Sequence, residues 1–190
     1  EGQGLQATQG MGPKKVFPGW WLVFTGGFLA LWGYGYQAYG FSALFKPISQ
    51  ELGLSRAATT VPESIGRLEG GFISPIAGWL TDRFGPKWPI FLGTLVIGCC
   101  LCLMSLVHSF WSFVVVWGVF LPIGIDLALM VPLQAAIARW FVKKRGLASG
   151  VQVLFSGLSG VLVLPLIAWL ITVVGWRMTV LIGGIVMLVV

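Results

Sequence analysis

Four ionisable side chains interrupt long apolar runs of this sequence, and they are the residues best suited to carry chemistry. Glu63, Arg67 and Glu69 lie in one run, and Asp126 lies in a later one. A charged group at membrane depth is costly, so each such residue is a functional candidate by default. The chemistry that they predict is the binding of a charged solute or the carriage of a proton.

Glu63 and Arg67 are four residues apart, so they share one face of a helix and can pair, with the acid in the favoured N-terminal position. Glu69 faces a different neighbour. Two interpretations stay open. Either the pair is an internal salt bridge that locks this helix to a neighbour, or Arg67 or Glu69 lines a path and binds substrate or proton.

Asp126 is the only acid of its apolar run, where it lies between Pro122 and Pro132. No basic residue lies within one helical turn of it. Such a carboxyl suits a proton carrier. It equally suits a hydrogen bond to another helix, or an ion pair with Arg67 or Arg83.

Uncharged polar groups extend this candidate path. Tyr34 and Gln37 lie among small residues of the first apolar run, and Gln152 lies in the fifth. Hydroxyl and amide groups there can hold a small polar ligand, or they can simply bond one helix to another. The predicted substrate and proton path consists of Tyr34, Gln37, Glu63, Arg67, Glu69, Asp126 and Gln152.

Several function classes are excluded by what the sequence lacks and by its composition. No nucleophile–base pair, metal-ligand spacing or phosphate-binding loop occurs, so we expect neither an enzyme nor a metal or cofactor site. Hydrophobic residues make up 57% of the chain and charged residues 9%, against about 25% charged in a soluble domain. The net charge of +6 resides mainly in short loops between apolar runs, which is a topology signal and not a nucleic-acid-binding face.

The apolar runs predict an all-α membrane protein with six spans of about 20 residues each. We expect residues 1–18 to be a polar, disordered tail, and residues 19–190 to form one six-helix bundle whose sixth helix is cut short. The predicted spans run from about Trp20 to Phe45, Ala57 to Thr81, Trp88 to Val107, Phe110 to Ala138, Leu147 to Val174, and from near Arg177 onward.

The basic residues predict the orientation of these spans. Eight fall on the side of the N-terminus and three on the other, with Arg67 inside a span. Because basic loops stay in the cytoplasm, the N-terminus is predicted to be cytoplasmic in a bacterial inner membrane or a plasma membrane. The eight are Lys14, Lys15, Arg83, Lys87, Arg139, Lys143, Lys144 and Arg145, and the three are Lys46, Arg56 and Arg177.

Small residues are concentrated in the fifth span. Gly146, Gly150, Gly157 and Gly160 lie there with serines beside them. Small residues let helix backbones approach closely in a membrane, so the stripe predicts tight packing of this span. Alternatively, such a smooth face slides during gating.

A short charged loop separates the second and third spans. It reads Gly78-Trp79-Leu80-Thr81-Asp82-Arg83-Phe84-Gly85-Pro86-Lys87, where Gly85 and Pro86 end one helix before the next begins. The pattern G-x-L-x-D-R-x-G-x-K closely resembles the loop between the second and third helices of major facilitator superfamily transporters.

Other segments resemble one branch of that superfamily. Residues 140–150 look like the start of helix five in the monocarboxylate and oxalate–formate branch, and residues 18–21 and 175–177 resemble the starts of its first and sixth helices. The resemblance implies a twelve-helix transporter of two six-helix bundles that works by alternating access. This chain matches the N-terminal bundle only, so the C-terminal half would be its missing partner.

The resemblance also implies a conformational latch, formed by Gly78, Asp82, Arg83, Gly85 and Lys87. In the family the acid of this loop, here Asp82, engages a helix end of the second bundle. Arg83 would pair nearby, and the glycines allow tight passage of the loop. An anion at a helix N-terminus stabilises by roughly 0.3–1 kcal/mol, enough to bias two balanced conformers.

The implied function is secondary transport of a small mono- or dicarboxylate through the lipid bilayer, by proton symport or anion exchange. Gln37 departs from the pattern, because animal monocarboxylate transporters have a lysine there. The family's main substrate-binding arginine belongs to the second bundle, a role that Arg67 could take. The alternatives are transport of a neutral or cationic solute, and a non-transporting half-length protein that dimerises.

Overall fold

A computed structural model describes residues 19–141 and 144–189 of the chain. The predicted disordered tail, residues 1–18, lies outside this described part. Within it every regular element is helical, and no strand is present. The predicted all-α six-helix bundle is therefore confirmed.

Six helices, numbered α1 to α6 in chain order, follow one another in alternating directions. Helix α1 covers 19–51 and contains a π-helical turn, Gly35–Gly40, and helix α4 contains two such turns, Val116–Phe120 and Asp126–Met130. The other rods are α2 (Arg56–Phe84), α3 (Lys87–Met104) and α4 (Phe110–Trp140), followed by α5 (145–174) and α6 (176–189).

Local sequence fixes where these helices begin and end. Ser55 and Ser109 precede α2 and α4, and each side-chain oxygen accepts a hydrogen bond from a backbone N–H of the first turn. Gly85 ends α2 with a φ of 80°, and Gly175 separates α5 from α6 with a φ of 84°. Both angles lie in the region that only glycine adopts without strain.

Three segments are long and apolar enough to cross a membrane by length and composition: Lys87–Met104, Phe110–Trp140 and Arg145–Val189. The third holds two of the predicted spans, because α5 and α6 are divided at Gly175. The charged side chains of α2 lower the mean hydropathy of that helix, and the tryptophan, tyrosine and glycine residues of α1 lower it there.

Glycines bring the backbones of α3, α4 and α6 into contact, and these are not the predicted glycines. A Cβ added at Gly93 would lie 2.5 Å from the backbone nitrogen of Ala128, and one at Gly184 would lie 2.7 Å from the carbonyl oxygen of Gly98. For most of its length, the α5 stripe does not pack tightly against the described residues of this bundle. Only Gly160 of the stripe closely approaches another residue, the ring of Tyr39.

The remaining stripe glycines face open space. A Cβ at Gly146, Gly150 or Gly157 would meet no atom within 4 Å among the described residues. The sequence shows that small residues share a helix face, but it does not show which face turns toward the other helices. Packing at the centre of the bundle instead depends on single glycines in α3, α4 and α6.

Arg177 joins three chain segments at the end of the bundle opposite the α2–α3 loop. Its Nε donates to Glu51 at 2.9 Å, and its Nη1 and Nη2 donate to the carbonyls of Ser105 and Val107 at 2.5 and 2.8 Å. Trp176 also donates to Glu51 through its indole nitrogen. The Arg177 cluster thus connects the ends of α1 and α3 to the start of α6.

We expect Arg177→Ala to destabilise the bundle by about 1–3 kcal/mol, because it leaves two carbonyls without a donor and removes the cation that pairs with Glu51. Solvent screening keeps the effect toward the lower end, since the Glu51 side chain is 44% exposed. Thermal unfolding in detergent measures the loss. Arg56→Ala is the matched control, because Arg56 is exposed at the same end and makes no ion pair among the described residues.

The Arg177 cluster also predicts that the free energy of unfolding of the bundle depends on pH. Hydrogen bonds from Arg177 and then Trp176 lower the pKa of the Glu51 carboxyl below its ordinary value of 4.5. The stabilisation is therefore complete above pH 4.5 and is lost as the pH falls through the lower folded value. Arg177→Ala should remove this acid-sensitive part of the unfolding profile, and an unchanged profile would contradict the assignment.

Candidate functional site

A cavity of about 280 Å³ lies between α1, α2 and α4 and opens to the surface. Four residues of the predicted path line it: Tyr34 and Gln37 from α1, Arg67 from α2 and Asp126 from α4. We call it the ionic cavity. Gln37 and Asp126 both lie on π-helical turns, which are frequent at functional sites because they re-aim side chains.

Asp126 is the deepest charged group of this cavity. It is only 6% exposed, and its Oδ2 lies 3.2 Å from where a Cβ of Gly70 would be, so the carboxyl packs against bare backbone of α2. Within the described ranges it forms neither a hydrogen bond to another helix nor an ion pair with Arg67 or Arg83. Its carboxyl therefore lines the cavity without a partner.

Glu69 lies beside the ionic cavity, close enough for electrostatic interaction with Asp126. Both of its carboxyl oxygens are buried and lack a hydrogen-bond partner within residues 19–141 and 144–189. Burying a carboxylate without a counter-charge is expensive. Two neighbouring acids in this condition form a site suited to a proton or another small cation.

Arg67 pairs with Glu63 inside α2, with 3.3 Å between Nε and Oε1. The pair does not lock α2 to a neighbour, because both residues belong to one helix face. The Arg67 side chain is 79% exposed, and its two Nη groups donate no hydrogen bond within the described part. They are available to a bidentate anion such as a carboxylate.

Gln152, the seventh predicted residue, lies elsewhere. It lines a second cavity of about 270 Å³ between α1, α4 and α5, which we call the amide cavity. Gln134 donates from Nε2 to Gln152 Oε1 at 2.5 Å, and Ser149 donates to Gln134 Oε1 at 3.2 Å. Tyr34 and Met130 line both cavities and form the wall between them.

Gln134 and Ser149 are absent from the sequence-predicted path. The available signal was a second glutamine in an apolar run, eighteen residues before Gln152. Spacing alone could not pair the two amides, because the sequence does not determine the geometry of the turn between α4 and α5. The structure thus divides the predicted path into an ionic part and an amide part.

The predicted latch residues surround the α2–α3 loop. Asp82 is exposed, and it forms no ion pair with Arg83 in the described ranges. The Arg83 guanidinium instead lies over the rings of Trp79 and Phe84, 5.3 and 5.7 Å from their centroids. Gly85 makes the turn.

The other two latch residues bracket the same loop. Gly78 lies on α2 opposite Val131 of α4, whose Cγ1 would be 4.0 Å from an added Cβ. Lys87 begins α3 and is exposed. Asp82 and Lys87 are thus both exposed at this end of the bundle, and neither forms an ion pair in the described part of the chain.

Comparison with known proteins agrees with this architecture. The sequence profile of the Major Facilitator Superfamily matches residues 23–190. The chain is 31% identical to the "MFS-type transporter 1" of Ophiocordyceps sp. over 151 residues, which is 75% of this chain and 32% of that protein. It is 36% identical to the "Fujikurins efflux protein" of Gibberella fujikuroi, over 47% of this chain and 19% of that protein.

A bacterial transporter also matches. The "Oxalate:formate antiporter" of Oxalobacter formigenes is 28% identical over 72% of this chain and 32% of its own length. This chain therefore spans about a third or less of the length of the curated relatives it matches.

Proposed function

The chain belongs to the Major Facilitator Superfamily, and from this premise we propose that it forms the N-terminal part of a transporter for a small mono- or dicarboxylate. The solute moves by alternating access, through proton symport or anion exchange. The observation that carries the proposal is that Arg67 and Asp126 line the same cavity between α1, α2 and α4.

Arg67 supplies the anion-binding part. Arg67 lines the ionic cavity with an exposed side chain whose Nη groups donate no hydrogen bond among the described residues, and Tyr34 and Gln37 of α1 add polar groups to the lining. A carboxylate is the small anion that a planar guanidinium holds with two parallel hydrogen bonds. The oxalate:formate antiporter among the relatives supports this solute class.

Asp126 and Glu69 supply the proton-binding part of a symport mechanism. Asp126 and both carboxyl oxygens of Glu69 are buried without a hydrogen-bond partner among the described residues, and Glu69 lies within electrostatic range of Asp126. A proton that binds there neutralises a charge that is costly to bury. Binding of the proton thereby favours binding of the anion at the neighbouring Arg67. The reorientation step would use Asp82, which is exposed at the predicted cytoplasmic end and would there contact the proposed second bundle.

Export of a neutral or cationic solute is the second candidate. It is favoured by the relative named as an efflux protein and by the two unpaired carboxyls, which could hold a cation directly. The two candidates differ in the solute charge that the ionic cavity selects.

The proposal is tested by solute uptake into proteoliposomes that contain the protein expressed from the complete reading frame. We expect labelled oxalate, formate or lactate to enter, driven either by an inside-alkaline pH gradient or by carboxylate loaded on the other side. Uptake of neutral or cationic solutes, with no carboxylate movement under either drive, would overturn the carboxylate proposal.

Arg67→Gln is expected to weaken carboxylate affinity by about 10- to 100-fold, because hydrogen bonds to a charged group contribute about 1.5–3 kcal/mol. The apparent KM for uptake measures the change. Glu63→Gln is the matched control, since it breaks the same ion pair but keeps the cation. Unchanged affinity in Arg67→Gln would leave the residue with a role confined to the surface of α2.

A further inference from the structure

We propose that Glu69 and Asp126 form a binding site for a small monovalent cation, Na⁺ or Li⁺, at the contact between α2 and α4. The inference deepens the proposed function, since these are the two acids assigned there to the proton, and it rests on that function for the part of the ion in transport. The proton and the cation compete for the same site. Binding of the cation itself requires no carboxylate solute.

The two acids belong to helices that pack closely against each other. An added Cβ at Gly66 of α2 would lie 2.6 Å from Cγ of Pro122 of α4, and one at Gly70 would lie 3.2 Å from Oδ2 of Asp126. Glu69 is the neighbour of Gly70 in the chain, and it lies within electrostatic range of Asp126. Because the two carboxyls come from different helices, spacing within the sequence did not indicate a metal site.

Burial leaves both carboxyls in need of a counter-charge. Asp126 is 6% exposed and lines the ionic cavity, and both carboxyl oxygens of Glu69 are buried. Over the ranges 19–141 and 144–189, neither carboxyl accepts a hydrogen bond or forms an ion pair. A buried carboxylate without a counter-charge is strongly destabilised, so a cation that enters from the open side of the cavity gains by neutralising it.

Uncharged oxygen atoms add to the ligands that a small alkali cation can use. Tyr34, Gln37 and Ser74 line the ionic cavity together with Asp126, and none of these three side chains forms a hydrogen bond with a described residue. Hard cations bind through oxygen atoms of carboxylate, carbonyl and water type. The cavity therefore offers one carboxylate and three neutral oxygen groups, with the carboxyl of Glu69 beside it.

The guanidinium of Arg67 does not remove the need for a cation. Arg67 lines the same cavity, but its Nε lies 3.3 Å from Oε1 of Glu63 and its side chain is 79% exposed. Its charge is thus paired within α2 and screened by solvent. The unpaired charges of the cluster are those of Asp126 and Glu69, which one cation and one proton neutralise together.

The composition of the cluster favours a monovalent ion over a divalent one. The cost of taking an ion out of water rises with the square of its charge, so a divalent ion needs more ligand charge to replace its hydration. The described part of the chain holds no group of three or more His, Cys, Asp or Glu residues that could bind a metal. Because Coulomb attraction falls with separation, carboxylate oxygens attract Na⁺ and Li⁺ more strongly than the larger K⁺.

Thermal unfolding of the complete protein in detergent tests for the ion. The chlorides of sodium, lithium, potassium and choline are compared at equal ionic strength and mildly alkaline pH, where few protons compete. We expect Na⁺ and Li⁺ to raise the midpoint temperature of unfolding in a saturable way, and K⁺ and choline to leave it unchanged. Equal effects of all these salts, or stabilisation only by magnesium or calcium chloride, would overturn the inference.

Two variants examine the ligands themselves. Asp126→Asn and Glu69→Gln each keep the size of the side chain but remove one negative charge. Each should weaken the apparent affinity for Na⁺ by at least about tenfold, the effect of losing one charged partner. Glu51→Gln is the matched control, because it removes an acid at the opposite end of α1 from the N-terminus, and it should keep the wild-type affinity. Unchanged affinity in either cavity variant would refute the two-acid site.

Release of protons provides a measurement that does not depend on the stability of variants. If the cation displaces a proton, addition of Na⁺ to weakly buffered protein should acidify the solution, and the apparent affinity should fall about tenfold for each pH unit below the titration of the site. The other ionisable groups around Asp126 are Tyr34 of α1 and Glu69 and Arg67 of α2. Tyrosine and arginine keep their protons in this range, so the released proton comes from the two acids. An affinity independent of pH would place the ion elsewhere and overturn the inference.

Failure of the proposed function would be distinguishable from failure of the cation site. The ion is measured without solute, so the site stands if Na⁺ binds and Asp126→Asn weakens its binding, even where no carboxylate enters proteoliposomes. Where carboxylate does enter, an inward Na⁺ gradient at equal pH should drive its accumulation above the external concentration. Proton-driven uptake by a protein that binds no Na⁺ would refute the cation site and leave the proposed function intact.

Discussion

Asp126→Asn is expected to abolish proton-driven accumulation of the solute. In one-for-one symport, a gradient of one pH unit supports up to about tenfold accumulation, because one pH unit corresponds to about 1.4 kcal/mol. The variant should bring the inside and outside concentrations to about the same level. Plateau uptake into proteoliposomes, with and without the gradient, measures the ratio.

The expectation follows from the position of the carboxyl. Asp126 is the most buried ionisable group of the ionic cavity, and nothing in the described part neutralises it. Asparagine keeps the shape and the hydrogen-bonding capacity, but it does not take up and release a proton. Binding of the solute should therefore survive while its coupling to the pH gradient is lost.

Two further acid variants make this result specific. Glu63→Gln removes an acid from the same region, but Glu63 is already paired with Arg67, so the plateau ratio should not change. Glu69→Gln should reduce coupling, since Glu69 interacts with Asp126 and has no other partner. Full accumulation in Asp126→Asn would assign the carboxyl a packing role between α2 and α4.

The fold could be predicted because each helix is encoded locally. Apolar runs of membrane length, the serines before α2 and α4, and the glycines at 85 and 175 fix the number of helices and most of their ends within a few residues. Helix α2 could be predicted as a span despite its charged residues, because the loop pattern that follows it indicated independently where it ends.

The composition of the candidate site could be predicted only in part. Ionisable residues are unusual in any apolar helix, so Arg67 and Asp126 were identifiable one at a time, and both line one cavity in the structure. The placement of Gln152 with Gln134, and not with the ionic group, depends on the rotation of α5 about its axis. No local pattern encodes that rotation.

The π-helical turns could not be predicted from the sequence either. Pro122 and Pro132 mark two places where the fourth helix loses a backbone donor, and the widened turn forms between them, over Asp126–Met130. A proline has no N–H, so it releases a carbonyl one turn earlier, and the helix can relax there in several ways. Which of them occurs depends on the packing against α3.

Gly93→Val is expected to destabilise the bundle by more than about 3 kcal/mol, at or beyond the upper end for overpacked cores. An added Cβ at Gly93 would lie 2.5 Å from the Ala128 nitrogen and 2.6 Å from the Gly124 carbonyl oxygen. Both are backbone atoms of a buried helix, so they cannot rotate away as the end of a side chain can. Thermal unfolding of the purified protein in detergent measures the loss.

Gly157→Val provides the matched comparison, because it makes the same chemical change within α5, where an added Cβ meets no atom within 4 Å. It should unfold within a few degrees of the wild type, since an exposed helical valine costs little relative to glycine. A Gly93→Val protein as stable as Gly157→Val would mean that α3 and α4 separate easily. The ionic cavity would then lack a rigid wall, because the α3–α4 contact holds the Asp126–Met130 turn in place.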